Sequence, residues 1–195
     1  MTTRYPQYQA LIQQRLSPKR YKHSLNVMER AVYLARIIGA DPGKAELAGL
    51  LHDVEKNTDS KILLQNLENS DILFSDADRM LPQLWHAPAG MLFLRDKLGI
   101  RDADVLNAVC YHTTGRKDMS PLEKTVYLAD LTSADRDYPD AEYTRALSEK
   151  DPDGAILYSL QYILGEMLRQ GKTLHPDSVE CYNQIAGERS EKPQI

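Results

Sequence analysis

The sequence predicts an all-α fold, a single-domain helical bundle, and three observations support this prediction. A capping side chain followed by proline marks four helix starts, at Ser17-Pro18, Asp41-Pro42, Ser120-Pro121 and Asp151-Pro152. Such a residue accepts from a free backbone amide, and proline in the first turn gives up only an amide without a helical partner. Apolar residues recur at steps of three and four, and no segment shows the sustained period-two alternation of strands.

The first half of the chain contains two well-marked helices and two less regular segments. We predict a helix from Pro18 to the stop signal at Gly39, and a shorter one from Pro42 to the dipeptide His52-Asp53. A turn and a short helix are expected within residues 56–71. His86 lies between two prolines, so we place it at a loop or a helix start.

The second half of the chain is also helical. An apolar stripe from Asp102 leads to His112, and a helix that starts at Pro121 ends at Asp130. A long helix from Pro152 stops at Gly171, a short helix is expected near residues 179–185, and we expect the charged tail, residues 187–195, to be frayed. No internal repeat divides the 195 residues, so we assign residues 1–195 to one domain.

The net charge of the chain argues against partners that would bind it through nonspecific attraction of opposite charge. Twenty-four basic and 28 acidic residues give a net charge of −4, so nucleic acid and anionic membranes are not expected partners. No run approaches the roughly 18 apolar residues of a membrane span, and the N-terminus has no apolar signal core. Cys110 and Cys181 are too few and too far apart for a disulfide framework, which favours the cytoplasm.

Histidine and aspartate side chains recur where the predicted helices begin or end. Burying such groups requires a proton, a partner or a metal, and facing helices of a bundle can bring several of them to one point. A histidine taken singly is more often structural than a ligand, so the prediction depends on the whole set. Imidazole and carboxylate ligands without nearby cysteine suit iron, manganese or zinc. The set is His23, His52, Asp53, His86, His112 and Asp130.

These residues lie in five motifs: Arg20-Tyr21-Lys22-His23, Leu51-His52-Asp53-Val54-Glu55-Lys56, Trp85-His86-Ala87-Pro88, Tyr111-His112-Thr113-Thr114-Gly115-Arg116 and Leu128-Ala129-Asp130. The motifs resemble those of the HD superfamily of metal-dependent phosphohydrolases and, more narrowly, the YqeK family. The resemblance covers about residues 18–185, with Arg136-Asp137-Tyr138-Pro139 and Leu174-His175-Pro176-Asp177 near its end. It implies a helical bundle of the HD-domain, or phosphodiesterase, type. We expect an HD core over about residues 18–140, with C-terminal helices at about 151–186 packed on it.

The resemblance implies symmetrical hydrolysis of diadenosine tetraphosphate to two ADP, by attack of metal-activated water on a β-phosphate. It implies iron, with manganese, cobalt and zinc as alternatives, bound by His23, His52, Asp53 and Asp130. Asp53 either ligates the metal or accepts the proton of water, and His86 and His112 either complete a second metal position or contact phosphate. Asp53, His86 and His112 are therefore the candidate catalytic residues.

A larger set of residues is expected to contact the nucleotide or its phosphates. Arginine forks match phosphate oxygens, and Arg20 and Arg136 are the strongest cationic candidates. The full set is Arg20, Lys56, His86, His112, Thr113, Gly115, Arg116, Asp130, Arg136, Thr173, Leu174, His175, Pro176, Asp177 and Ser178. The partner is thus a small molecule, and a homodimer is possible.

Other functions remain open at this stage. Another HD phosphohydrolase, such as a nucleoside monophosphatase, would use the same metal ligands on a shorter substrate. A nucleotide sensor without turnover is expected to lack a ligand, whereas every ligand position here matches the motifs. A purely structural protein has no reason to contain all five motifs.

Overall fold

The computed structural model describes residues 3–190, and within them it contains eleven α-helices, one short 3-10 helix and no strand. The predicted all-α class is therefore confirmed. The helices are α1 (Pro6–Arg15), α2 (Pro18–Ile38), α3 (Pro42–Leu51), α4 (Ser60–Glu68), α5 (Asp76–Arg79), α6 (His86–Asp96), α7 (Ala103–Cys110), α8 (Pro121–Thr132), α9 (Ala141–Lys150), α10 (Pro152–Arg169) and α11 (Pro176–Ser190), and the 3-10 turn is Pro82–Leu84.

All four predicted capping residues are confirmed by their hydrogen bonds. Ser17 accepts from the amide of Arg20, Asp41 from the amides of Gly43 and Lys44, and Asp151 from that of Gly154. Ser120 and Glu123 form the reciprocal capping box that the sequence predicts. These caps fix the start of α2, α3, α8 and α10, because each satisfies amides that have no partner within the helix.

The structure differs from the predicted elements at several places. Helices α1, α5 and α9 were not predicted. Neither α1 nor α9 has a side chain that caps its first turn, and α5 has a capping box but is only four residues long. Helix α8 continues past Asp130 to Thr132, and α11 extends well beyond the predicted residues 179–185. The expectation of a frayed tail is wrong for residues 187–190, which are helical, and residues 191–195 lie outside the described part of the chain.

The centre of the bundle is the contact of α2 with α3 and α8. Gly49 of α3 allows this close approach, because a Cβ atom there would lie 3.0 Å from both Met28 Cα and Ala31 Cβ of α2. Helix α7 packs against α3, α6 and α8, while α10 packs against α8, α9 and α11. The described helices include none that is both long and apolar enough to cross a membrane.

Candidate metal centre and nucleotide site

The structure brings the six predicted ligand side chains into one cluster, which we call the metal cluster. Five of them are buried, and the side chain of Asp130 is 17% exposed. The six side chains come from α2, the end of α3, the start of α6, the loop after α7 and the last turn of α8. The cluster consists of His23, His52, Asp53, His86, His112 and Asp130.

Asp53 lies between three imidazoles. Its Oδ1 atom is 3.2 Å from His86 Nε2 and 3.7 Å from His112 Nε2, and its Oδ2 atom is 3.5 Å from His52 Nε2. Burial alone would raise the pKa of Asp53, but these imidazoles outweigh it and hold the pKa well below its usual value. Asp53 is therefore a buried carboxylate that stays ionised.

Asp130 closes the other end of the cluster. Its Oδ1 atom lies 2.9 Å from His23 Nε2 and 4.0 Å from His52 Nε2, and it also contacts Arg136. Burial opposes ionisation, but the close contact with His23 and the positive charges of Arg136 and the neighbouring imidazoles outweigh it and lower the pKa of Asp130 far below its usual range. Conversely, Asp53 and Asp130 overcome the effect of burial on His52 and raise its pKa. The electrostatic environment therefore favours positive charge at the centre of the cluster.

All four imidazoles are oriented by a hydrogen bond from Nδ1, which leaves the Nε2 lone pair directed at the carboxylates. Such bonds fix the ring tautomer in metal sites. In three of the histidines the acceptor is the carbonyl three residues earlier, where a helix or turn ends. The acceptors are Asp135 Oδ2 for His23, and the carbonyls of Gly49 for His52, Gln83 for His86 and Val109 for His112, at 2.8, 2.8, 3.0 and 2.8 Å.

The residues fit a divalent metal. Among the described residues, the buried Nε2 atoms of His23 and His52 have no hydrogen-bond partner, a costly state unless a cation binds there. Two sets of three ligand atoms lie within 4.8 Å of one another: His23, His52 and Asp130, and His52, Asp53 and His112. Imidazole nitrogen and carboxylate oxygen are donors that borderline divalent metals accept. The arrangement of these side chains is therefore that of a site that can hold a divalent metal.

Two predicted arginines lie at the edge of the metal cluster. Arg20 Nη1 is 3.1 Å from Asp53 Oδ2, and Arg136 bonds the carboxylate of Asp130 and donates from Nε to its carbonyl at 2.8 Å. Both side chains are about one third exposed. They are thus bonded to ligand carboxylates and still reach the solvent.

Lys56 and His86 form a close pair on the opposite side of Asp53. Lys56 Nζ lies 3.0 Å from His86 Nε2. Burial, together with the positive charge of Arg20, lowers the pKa of Lys56. Burial, with the nearby charges of His112 and Lys56, also lowers the pKa of His86 to about 4. His86 is therefore neutral at pH 7, and its Nε2 atom accepts from the ammonium of Lys56.

A hollow of about 360 Å³ opens beside the His86 and His112 end of the metal cluster. Its walls include Phe74, Trp85 and Tyr111, so we call it the aromatic hollow. Trp85 directly precedes His86 in the chain, and Thr113, which directly follows His112, also lines the hollow. The buried hydroxyl oxygen of Thr113 has no hydrogen-bond partner among the described residues. Aromatic walls with a few polar groups are typical of small-molecule sites.

The predicted segment 173–178 reaches the aromatic hollow in part. Residues 175–177 line it, and His175 Nε2 bonds Asp78 Oδ1 at 2.8 Å. Ser178 donates instead to the carbonyl of Thr114, and Leu174 packs against the main core. Thr173 lies outside the residues that line the hollow and contacts a methionine sulfur. The contacts of this segment with a nucleotide stay predictions.

Gly115 and Arg116 turn away from the metal cluster. Gly115 adopts a left-handed conformation with a φ of 63°, which directs the chain into α8. Arg116 binds the buried carboxylate of Glu123 through two nitrogens, and its guanidinium lies 4.7 Å from the ring centroid of Tyr111. In this structure Arg116 therefore faces Glu123, and its contact with phosphate stays a prediction.

Sequence reasoning did not find Asp135. Burial alone would raise its pKa, but bonds from Asn26 and His23 outweigh it and lower the pKa to about 2. The residue directly precedes Arg136, which was predicted, yet only the fold shows that this loop lies against α2. Lys19 was likewise not singled out, and Tyr138 was noted only within the motif Arg136-Asp137-Tyr138-Pro139.

Comparisons with known proteins agree with this geometry. The model of the family described as HD domain matches residues 20–135. Proteins named symmetrical bis(5'-nucleosyl)-tetraphosphatase from Halalkalibacterium halodurans and Bacillus subtilis are 39% and 34% identical, over 90% and 89% of this chain and 93% of each relative.

A crystal structure from Clostridium acetobutylicum, described as a predicted HD superfamily hydrolase involved in NAD metabolism, is 34% identical. It aligns over 96% of this chain and all of that chain, with a TM-score of 0.91. The family match spans most of the chain and includes the complete metal cluster. This chain therefore belongs to the HD domain family.

Proposed function

We propose that this chain hydrolyses diadenosine tetraphosphate symmetrically to two ADP with the help of a divalent metal. The observation that carries the proposal is the buried set of four oriented imidazoles and two ionised carboxylates, with cations at its edge. The relatives named symmetrical bis(5'-nucleosyl)-tetraphosphatase support the substrate, because this chain aligns with nearly their whole length.

We assign the metal to His23, His52, Asp53 and Asp130. Nitrogen and oxygen donors without thiolate suit iron, and manganese, cobalt and zinc remain alternatives. The preference for iron comes from the family resemblance. When bound, a divalent metal lowers the pKa of water and polarises a phosphoryl oxygen.

Arg20 and Arg136 hold the phosphates of the substrate. A guanidinium has five N–H donors in a planar fork, so each arginine can keep its bond to a ligand carboxylate and still donate to phosphate oxygens. This also balances the repulsion between a polyphosphate and the carboxylates of the cluster. Their partial exposure leaves the donors accessible to a ligand from solvent.

His86 and Lys56 act on the side of the attacked phosphate. The ammonium of Lys56 faces the phosphate charge and donates to Nε2 of the neutral His86, which holds the ammonium in place. The Nδ1 bond to the carbonyl of Gln83 keeps the ring in the tautomer whose Nε2 lone pair faces Lys56. The alternative is that His86 and His112 complete a second metal position, and His112 lies in one group with His52 and Asp53.

One adenosine binds in the aromatic hollow. Stacking of a base on an aromatic side chain contributes about 1–3 kcal/mol, and Phe74, Trp85 and Tyr111 offer such surfaces. The hydroxyl of Thr113 and the His175 side chain provide polar contacts in the same hollow. With the base there, the phosphates extend along the metal cluster. A cytoplasmic location and a homodimer are further parts of this proposal.

The products of the metal-loaded protein test the function. Anaerobically purified protein is loaded with each candidate metal, and early products of diadenosine tetraphosphate are separated in oxygen-18 water. ADP should be the only nucleotide product, with the label on one β-phosphate. ATP with AMP as primary products would contradict symmetrical cleavage, and release of inorganic phosphate from nucleoside monophosphates would favour the monophosphatase. Asp53→Ala serves as the inactive control, since it removes a ligand carboxylate.

A further inference from the structure

A second concave site, which we call the cationic cleft, lies at the other end of the metal cluster. It has a volume of about 260 Å³ and is lined by Lys19, Arg20, His23, Asp135, Arg136, Asp137 and Tyr138. None of these residues lines the aromatic hollow. The cleft therefore gives the cluster a second opening.

The two openings are separated by the row of imidazoles. Ring centroids are 5.2 Å apart from His86 to His112, 5.0 Å from His112 to His52, and 5.3 Å from His52 to His23. The aromatic hollow adjoins the His86 end, and the cationic cleft includes His23 itself. A substrate that extends from one opening to the other must therefore pass the side chains of the metal cluster.

The charges of the cleft suit a chain of phosphates. Lys19, Arg20 and Arg136 contribute three cations, whereas Asp135 is already bonded to His23 and Asn26. Lys19 is exposed in the first turn of α2, so its ammonium is accessible. Asp137 is the other acidic residue that lines the cleft, and it is exposed. Its negative charge would repel an anion bound in the cleft.

The far wall of the cleft is the ring of Tyr138, whose hydroxyl donates to the carbonyl of Leu131 at 3.1 Å. Tyr138 also lines an adjoining apolar hollow of about 190 Å³ together with Tyr158 and Tyr162. Tyr162 is 59% exposed, which leaves its ring available to a flat ligand. A cationic region followed by tyrosine rings matches phosphates followed by a base.

We infer that the cationic cleft binds the departing nucleoside diphosphate half of the substrate, with its phosphates at Lys19, Arg20 and Arg136 and its base toward Tyr138 and Tyr162. This inference rests on the proposed function. In-line attack on the β-phosphorus breaks its bond to the bridging oxygen, which leaves with the bonding electron pair as the terminal oxygen of the second nucleoside diphosphate. If the first half fills the aromatic hollow, this second half lies in the opposite opening.

Steady-state kinetics on the metal-loaded protein test the charges of the cleft. Lys19→Ala should raise KM for diadenosine tetraphosphate about three- to tenfold with normal metal content, because a contact with a charged group is lost. Asp137→Asn should lower KM about two- to threefold. Lys22→Ala, an exposed lysine of the same helix outside the cleft, is the matched control and should match the unmodified protein.

A second comparison identifies the part of the substrate that is bound. Adenosine 5'-tetraphosphate has four phosphates and one adenosine. Lys19→Ala should raise the inhibition constant of adenosine 5'-tetraphosphate as well. Tyr162→Ala should raise only the KM for diadenosine tetraphosphate, about three- to tenfold. If Lys19→Ala behaves like Lys22→Ala, or if Tyr162→Ala weakens both ligands equally, the cleft does not bind the second half, although the activity stands. If the unmodified protein does not cleave diadenosine tetraphosphate, both proposals fail.

Discussion

The role of Asp135 provides the sharpest test of how this site is built. Asp135 accepts from His23 Nδ1 at 2.8 Å with one oxygen, and from Asn26 and Ser133 at 2.9 Å with the other. Asp135→Asn is nearly isosteric and can still offer a carbonyl oxygen to His23. The substitution removes the negative charge behind the imidazole, so His23 becomes a weaker donor to a metal.

The expected magnitude follows from the position of this bond. Loss of a hydrogen-bond partner behind a metal-binding histidine costs about 10- to 100-fold in metal affinity, or roughly 1.4–2.8 kcal/mol. We expect the lower part of this range, because asparagine keeps a neutral acceptor. Asp135→Ala should reach the upper part, since it also leaves the Nδ1–H of a buried imidazole without its acceptor.

Competition with a chelator of known affinity measures the effect directly, without reference to turnover. Asp137→Asn removes the same charge two residues away, at an exposed position, and is the control for a general electrostatic effect. It should leave the affinity for metal unchanged. Equal metal affinity in Asp135→Asn and the unmodified protein would refute the argument that hydrogen bonds from Nδ1 prepare the imidazoles for the metal.

Three further predictions concern other parts of the fold. Arg136→Ala should raise KM for the polyphosphate about tenfold while metal is retained, as measured by kinetics and metal analysis, because its fork binds phosphate. Gly49→Ala should lower the free energy of unfolding, measured by urea titration, by about 1–2 kcal/mol, because its methyl group would lie 3.0 Å from Met28 Cα. In the same titration Gly165→Ala should raise the free energy of unfolding by about 0.5–1 kcal/mol, because its methyl group would meet only the flexible side chain of Arg169. Asp135 stabilises the fold above its unfolded pKa of 3.8, and this contribution is lost as pH falls through about 2, so Asp135→Asn should flatten the dependence of unfolding free energy on pH in that window.

The fold could be predicted where a local signal exists. The four capping residues and the glycine stop after α2 depend on neighbours within a few residues, and each was found from sequence. Helices α1 and α9 could not be found in this way, because they lack a capping side chain and are held by packing against the rest of the bundle. Local propensity carries little information about such tertiary contacts.

The residues of the candidate site likewise include some that could be predicted from sequence and some that could not. The grouping of the six side chains was predicted because histidine and aspartate recur at the ends of predicted helices, within motifs that resemble the HD superfamily, so the whole set is informative where one residue is not. Sequence reasoning was less informative for Arg116. It lies four residues after His112 in the same motif, but in the folded chain its side chain binds Glu123. The cationic cleft was missed because its residues come from the start of α2 and from the loop after α8, which meet only in the folded chain.

The position of each histidine explains why Asp135 is needed at all. Carbonyls in the last turn of a helix have no helical partner, so a histidine placed there can donate Nδ1–H to the carbonyl three residues back. His52, His86 and His112 follow α3, the 3-10 turn and α7, and each does so. His23 lies inside α2, where neighbouring carbonyls are bonded to amides, so its Nδ1–H requires an acceptor from another element. The loop after α8 supplies that acceptor as Asp135, directly beside the Arg136 that binds Asp130, so the same loop orients His23 and balances the charge of Asp130.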